Sequence, residues 1–134
     1  MNGKAKLPPA KGPYSLWVKT GGFIYVSGQG PIDPESGDAF LGEIQEQTRM
    51  CLANLEAILQ DAGASLADVV KTTVFLTDIG DFPRMNEIYA KAFGETKPAR
   101  STIQAAALPL GISVEIEAVA VDPATGAKIL RHQP

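Results

Sequence analysis

Apolar residues recur at two different spacings along the chain, and each spacing predicts a different kind of element. From Ile44 to Ala62 they fall on one helical stripe, which predicts a helix with Gly63 as its C-terminal cap. A second helix is expected to open at Asp81-Phe82-Pro83 and to end at Gly94. Its core positions are Phe82, Met85, Tyr89 and Phe93.

Segments rich in β-branched residues or bounded by turn residues predict five strands around these helices. Two precede the first helix, at residues 15–19 and 23–30, and a third follows it at 69–77. The last two flank "LPLG" at 108–111, which we expect to be a tight connection between them. The order β-β-helix-β-helix-β-β indicates an α+β fold, a single sheet with both helices packed on one face.

Two segments share the pattern Asp-Pro-x-Ser/Thr-Gly. They are "IDPESGD" at 32–38 and "VDPATGAK" at 121–128. Proline suits the first corner of a turn and glycine accepts the positive φ that follows. Both segments are expected to be hairpin connections rather than active-site motifs.

The last predicted strand, "VEIEAVAV" at 114–121, is largely apolar on both faces. Glu115, Glu117, Val119 and Val121 alternate with a fully apolar set on the other side. Helices can cover one face, and another subunit can cover the second. A carboxylate on a covered face is costly unless it is paired or solvated. Glu115 and Glu117 therefore either lie at a solvated strand end or subunit edge, or one faces a cleft and handles protons.

Length and charge limit the alternatives. The 134 residues fit one domain, 1–134, with an irregular lead-in at 1–12. The net charge is −3, and the basic residues are scattered, which disfavours nucleic-acid binding. The single cysteine suits a reducing compartment, and no segment has the length of a signal peptide or membrane span, so a cytoplasmic location is expected.

Arg100 is the cation that most needs an explanation. It follows Pro98-Ala99 at the start of a strand and is either half of a surface ion pair or a planar fork for a substrate carboxylate. The other potentially reactive residues are weaker indications of function. His132 is the only histidine, which argues against a catalytic triad or a histidine-rich metal site, and Cys51 fits a buried apolar position. We expect no metal and no cofactor.

Several motifs, in order and over nearly the whole chain, resemble the reactive intermediate deaminase family of RidA/YjgF type. They are "GPYS" at 12–15, "SGQGPIDPESG" at 27–37, "NLEAILQDAGASLADVVKTTVFLTDIGDF" at 54–82, "MNEIYAKAF" at 85–93, "PARSTIQAAALP" at 98–109 and "VEIEAVAVD" at 114–122. The resemblance implies a chorismate-mutase-like fold whose subunits form a homotrimer through their sheets, with clefts between neighbouring subunits.

The resemblance also implies hydrolysis of 2-enamine and 2-imine acids, such as 2-aminoacrylate and 2-iminopropanoate, to 2-keto acids and ammonia without a cofactor. By carry-over, Arg100 anchors the substrate carboxylate and Glu115 handles the water and the proton. Tyr14 supplies a hydroxyl near the imine. Ser27, Gly28, Asn86 and Thr102 line or support the pocket. Glu117 is left with a structural or supporting role.

Two departures bear on specificity. Many members have cysteine where this chain has Thr102, and the bulk of Trp17 can narrow or reshape the cleft. Three alternatives stay open: a member acting on another enamine such as 2-aminomuconate, a trimeric small-molecule-binding or regulatory protein with little turnover, and an endoribonuclease. The acidic charge and the absence of a histidine pair weigh against the last.

Overall fold

The computed structural model describes residues 5–134, which form one five-stranded sheet and two α-helices. The strands are β1 (Trp17–Thr20), β2 (Phe23–Gln29), β3 (Val69–Leu76), β4 (Ala99–Gln104) and β5 (Val114–Val121). The helices are α1 (Ile44–Asp61) and α2 (Phe82–Phe93). Residues 5–12 form no helix or strand, as expected of the lead-in, while residues 1–4 of that predicted segment lie outside the described residues.

The strands lie in the order β1-β2-β5-β3-β4, and every neighbouring pair is antiparallel except β3 and β4. Helix α2 links that parallel pair as a crossover. The tight connection expected at 108–111 is therefore wrong, because β3 separates β4 from β5. The chain instead passes the end of β3, where Ala105 N donates to Leu76 O and Thr77 N donates to Ser113 O.

Both helices cover the same face of the sheet, as predicted. The residues of β5 that point toward them are at most 3% exposed, and these are Val114, Ile116, Ala118 and Ala120. Leu55 and Ile58 of α1 and Met85 of α2 are fully buried in the same core. Neither helix of the described chain is long and apolar enough to cross a membrane.

The helix ends follow the glycine signals. Gly63 has φ +89°; its N–H donates to Gln60 O, and Ala64 N donates to Leu59 O, which is the Schellman pattern. Gly94 has φ +57° directly after α2. The predicted ends of both helices are confirmed to within one residue, because a backbone that must take positive φ favours glycine.

The opposite face of the sheet carries no helix among the described residues and is rich in apolar side chains; we call it the open face. Val18, Phe23, Tyr25 and Ile103 on this face are 40% to 50% exposed. The alternation predicted for β5 is confirmed, with Val119 and Val121 on the open face together with Glu115 and Glu117. Cover of the open face by another subunit remains a prediction.

Of the two hairpins predicted at the Asp-Pro turns, the first is formed and the second is not, within residues 5–134. The turn at 32–38 closes a small hairpin, with an antiparallel bridge between Ile32 and Ala39 and a positive φ at Gly37. The turn at 121–128 has the expected positive φ at Gly126, but no strand follows it in the described chain, so the second hairpin is wrong. The segment after it is held by Arg131, which donates to two main-chain carbonyls around β3, those of Ala67 and Val69.

Candidate functional site

Arg100 lies on edge strand β4 and faces the helices. Its partner in the register is Thr72 of β3, which is 1% exposed and hydrogen-bonded to Tyr89 of α2. Paired residues of neighbouring strands share a face, so the Arg100 side chain enters the layer between β4 and α2. The sequence pattern did not predict on which face of the sheet Arg100 lies.

Two aromatic rings of α2 surround the Arg100 cation. Its guanidinium carbon is 4.7 Å from the ring centroid of Tyr89 and 5.4 Å from that of Phe82. Within residues 5–134, Arg100 forms no salt bridge. The surface ion pair considered from the sequence is therefore not formed within the described chain.

Thr102 and Asn86 border the same layer, and each carries an unsatisfied polar atom. Thr102 is two residues beyond Arg100 on the same face of β4, and Asn86 lies on α2 between Phe82 and Tyr89. Thr102 Oγ1 and Asn86 Oδ1 are buried without a hydrogen-bond partner in the described chain. Unsatisfied buried polar atoms are infrequent and need an explanation. Gln45 Oε1 on α1 is a third such atom, while these two belong to residues on the same face of β4 as Arg100 and between its two aromatic neighbours on α2. We call Arg100, Thr102 and Asn86 the arginine half-site.

Glu115 lies on the open face of β5, because its neighbours Val114 and Ile116 are fully buried on the helix face. Its side chain is half-buried. That burial, reinforced by the nearby charge of Glu117, raises the pKa of Glu115 above the ordinary value for glutamate. A carboxyl group with a raised pKa holds its proton more readily than an ordinary glutamate, a property that general acid–base groups share.

Gly28 and Ser27 of β2 lie beside this carboxyl group. The register of β2 and β5 shifts between Val26 and Gln29, and the irregularity brings Gly28 against Glu115. A Cβ atom placed on Gly28 would lie only 2.9 Å from Glu115 Cδ, so any side chain there would displace the carboxyl group. We call Ser27, Gly28 and Glu115 the glutamate half-site.

Tyr14 lies just before β1, in a segment that Ser27 binds through hydrogen bonds. Ser27 Oγ donates to Ser15 O at 2.6 Å, and Ser27 N donates to Leu16 O at 3.0 Å, so this segment is anchored to β2. The Tyr14 ring is 45% exposed, and its hydroxyl accepts a hydrogen bond from Lys11 N at 3.0 Å. The structure thus brings the Tyr14 backbone to the glutamate half-site, while the hydroxyl is turned toward the lead-in.

The two half-sites are separated within one chain. Arg100 pairs with Thr72 and Glu115 pairs with Phe75, so they lie two strands apart and three residues along β3. With strands about 4.8 Å apart and a rise of about 3.3 Å per residue, their Cα atoms are about 14 Å apart. The side chains also point to opposite faces. One chain alone therefore does not bring Arg100 and Glu115 together.

The structure also gives the positions of Trp17 and Cys51, which the sequence analysis had singled out. Trp17 pairs with Val26 on the helix face, and its indole N–H donates to Asp61 of α1 at 3.0 Å. It lies on the other side of the sheet from Glu115, away from the glutamate half-site, and an effect of its bulk on a cleft between subunits stays a prediction. Cys51 is fully buried, as predicted, and burial raises the pKa of its thiol. In residues 5–134 there is no cluster of three or more His, Cys, Asp or Glu that could hold a metal ion.

Comparison with known proteins identifies the family. The sequence model described as "Endoribonuclease L-PSP" matches residues 4–122. The chain belongs to this family. A curated relative, a RutC family protein of Pyrococcus abyssi, is 52% identical over 115 residues, which are 86% of this chain and 91% of that protein. The fold class and the RidA/YjgF resemblance inferred from the sequence are thereby confirmed.

Two further relatives in the endoribonuclease L-PSP family carry more informative names. Human 2-iminobutanoate/2-iminopropanoate deaminase is 48% identical over 126 residues, which are 93% of this chain and 92% of the human protein. The crystal structure of E. coli TdcF with bound serine has a TM-score of 0.82 and 42% identity, covering 87% of this chain and 93% of that one. The family thus includes a protein named as an imine deaminase and one crystallised with a small amino acid.

Two members of the site escaped sequence reasoning. Tyr89 and Phe82 were assigned only to the core stripe of α2, yet both rings contact the Arg100 cation. The available signal was the phenol of Tyr89 on an otherwise apolar stripe, because a buried tyrosine hydroxyl needs a partner. Thr72 is that partner, and nothing in its β-branched segment singled it out.

Proposed function

We propose that this protein hydrolyses 2-imino and 2-enamine acids to 2-keto acids and ammonia. The observation that supports this most strongly is the pair of half-sites: a cation without a carboxylate partner and a carboxyl group whose pKa is raised. A carboxylated imine needs these two groups. The name of the human relative, 2-iminobutanoate/2-iminopropanoate deaminase, points to the same chemistry.

In the proposed reaction Arg100 binds the substrate carboxylate through two parallel N–H···O bonds, a geometry that lysine does not match. This contact fixes the imine carbon relative to Glu115. Thr102 and Asn86 each keep a polar atom beside the cation and are assigned to the support of this pocket.

Glu115 then acts on water. As its carboxylate form accepts a proton, the water oxygen bonds to the imine carbon and the C=N electron pair moves to nitrogen. The protonated Glu115 returns its proton to that nitrogen. The carbinolamine formed, C(OH)–NH2, gives its hydroxyl proton to the Glu115 carboxylate, which passes it to the amine nitrogen. The C–N bond then breaks as the oxygen closes to a carbonyl, and a keto acid and ammonia leave. An enamine enters the same sequence after tautomerising to the imine. The scheme uses no metal or organic cofactor.

The site is completed by a second copy of the chain in this proposal. Glu115 lies on the apolar open face, which association through the sheets would cover, and Arg100 lies on the edge strand β4. In the homotrimer that the family resemblance implies, the arginine half-site of one subunit meets the glutamate half-site of its neighbour. Tyr14, Ser27 and Gly28 then belong to the subunit that supplies Glu115.

The activity is tested with an unstable substrate made in the cuvette. An amino-acid oxidase generates 2-iminopropanoate, and semicarbazide traps what the protein does not hydrolyse. We expect wild-type protein to reduce the trapped fraction and Arg100→Ala to lack the effect while keeping its fold. Arg84→Ala, on the outer surface of α2 where Arg84 pairs with Asp81, is the matched control and should stay active. A fully active Arg100→Ala variant would defeat the anchor assignment.

The shared site has a test of its own. Arg100→Ala and Glu115→Ala chains are unfolded together and refolded as a mixture. If each site combines neighbours in a three-membered ring, three quarters of the trimers contain both chains and each of those has one complete site in three. Activity should therefore return to roughly a quarter of the wild-type value. A mixture as inactive as its two components would show that one chain supplies both residues.

A binding or regulatory role is the second candidate, and the solved relative with bound serine favours it. It predicts that serine or pyruvate binds at Arg100 while wild-type protein does not accelerate imine loss. Titration of both ligands, followed by NMR in wild type and Arg100→Ala, separates this role from the proposed activity.

A further inference from the structure

The Arg100 cation contacts two aromatic rings rather than one. Phe82 and Tyr89 are seven residues apart on α2, which spans about 10.5 Å along the helix axis. The guanidinium carbon is 5.4 Å from the first ring centroid and 4.7 Å from the second, and both distances are within cation–π range. Two rings from one face of α2 therefore share the guanidinium.

The Tyr89 ring is itself fixed in place. It is 8% exposed, its hydroxyl is 2.7 Å from Thr72 Oγ1, and its ring centroid is 4.6 Å from that of Phe93. Burial raises the pKa of Tyr89, so the phenol stays neutral at physiological pH. Thr72 lies directly opposite Arg100 in the sheet. The hydrogen bond thus ties the ring to the strand position that faces the arginine.

We propose that Tyr89, held by Thr72, is a positioning residue that presents Arg100 to the substrate carboxylate, with Phe82 as the second wall of the clamp. The inference rests on the proposed function, since it concerns how that anchor is oriented. An arginine side chain has many rotamers, and ordering them on binding lowers affinity. Rings against the guanidinium leave its N–H edge for a bidentate contact. A clamp supplied by the same chain orders the cation before substrate arrives.

A purely structural role for Tyr89 makes a different prediction. Phe93 is the natural comparison, because it is a buried ring on the same helix and in contact with Tyr89. Within residues 5–134 the Arg100 cation contacts the rings of Phe82 and Tyr89 and not that of Phe93. Replacing either ring by leucine removes aromatic volume from the same core. Only the Tyr89 replacement removes a wall of the arginine clamp.

The experiment compares Tyr89→Leu with Phe93→Leu. Ring currents should shift the Arg100 Hδ and Hε resonances upfield in wild type and in Phe93→Leu, and the shift should be clearly smaller in Tyr89→Leu, where only the Phe82 ring remains. This NMR readout needs no enzymatic activity, so it separates failure of the clamp from failure of the proposed function. The same spectra taken with pyruvate as probe should show binding weakened about tenfold in Tyr89→Leu only.

Kinetics with 2-iminopropanoate give the second readout. Tyr89→Leu should raise KM about tenfold and change kcat much less, whereas both leucine variants should lose thermal stability to a similar extent. Tyr89→Phe keeps the ring and loses only the bond to Thr72, so it should restore most of the KM. The clamp is refuted if Tyr89→Leu and Phe93→Leu have the same KM. It is also refuted if Tyr89→Leu lowers KM, because the ring would then hold Arg100 away from substrate.

Discussion

The arginine and glutamate half-sites are built in opposite ways. Arg100 lies under α2 and is held by rings of its own chain, so its environment is complete in a single subunit. Glu115 lies on the open face, beside the irregularity between β2 and β5, and is only half-buried. Under the proposed function, carboxylate binding is therefore set within each chain. Proton handling depends on what covers the open face.

Glu115→Gln is expected to have the largest effect on activity, and it alters the glutamate half-site alone. Removing the proton acceptor should lower kcat by about 10²- to 10³-fold. Pyruvate binding at Arg100 should change less than about threefold, because the arginine half-site is intact. Steady-state kinetics and NMR titration measure the two quantities. Glu87→Gln, the same exchange at an exposed position of α2, is the control and should leave both unchanged.

Glu115→Gln also makes a prediction about stability. The pKa of Glu115 is raised by burial and by Glu117, so the folded state binds this proton more tightly than the unfolded state. The contribution of Glu115 to stability therefore falls as pH rises from the ordinary glutamate value through the raised one. Glutamine has no such dependence. The variant should be at least as stable as wild type to urea at pH 7, and a clear loss of stability would contradict the assigned environment.

An intermediate effect is expected from Glu117→Gln, which changes the glutamate half-site without removing its acid. The charge of Glu117 is the second cause of the raised pKa of Glu115, after burial. Its removal should move the acidic limb of the kcat/KM profile to lower pH, while the maximum rate changes little. A pH profile of wild type and variant checks this. Movement of the limb to higher pH would mean that Glu117 acts on Glu115 through something other than its charge.

The smallest effect is expected from Trp17→Phe. This change removes the indole donor to Asp61, so unfolding should become easier by about 1 kcal/mol. Because Trp17 lies on the helix face, KM for 2-iminopropanoate should stay within about twofold of wild type. Urea unfolding and kinetics on the same preparation test both parts. An altered KM with unchanged stability would place Trp17 in the cleft after all.

Elements with local signals were predictable from the sequence. The ends of α1 and α2 followed from Gly63 and Gly94, because a backbone at positive φ favours glycine. The open apolar face followed from the alternation in β5, where every second residue points away from the helices. Arg100 and Glu115 stood out because charged residues are rare in such surroundings.

Features that depend on long-range pairing were not predictable. The pattern of β4 does not say that its partner is β3 rather than β5, and the pairing is settled by the crossover through α2. "VDPATGAK" has the same turn residues as the first hairpin, but its continuation pairs with no strand in the described chain. The contact between Tyr89 and Arg100 joins residues of a helix and a strand, and no spacing rule connects them.

The close approach of Gly28 to Glu115 offers a way to displace the Glu115 carboxyl group without substituting an ionisable residue. Any side chain at position 28 would occupy the space of the carboxyl group, since even a methyl carbon would lie 2.9 Å from its Cδ atom. Gly28→Ala would therefore push the acid aside while keeping its charge and the overall charge of the protein. Under the proposed function, such a variant would keep the charge of wild type, lose turnover and still bind unhydrolysed ligands at Arg100.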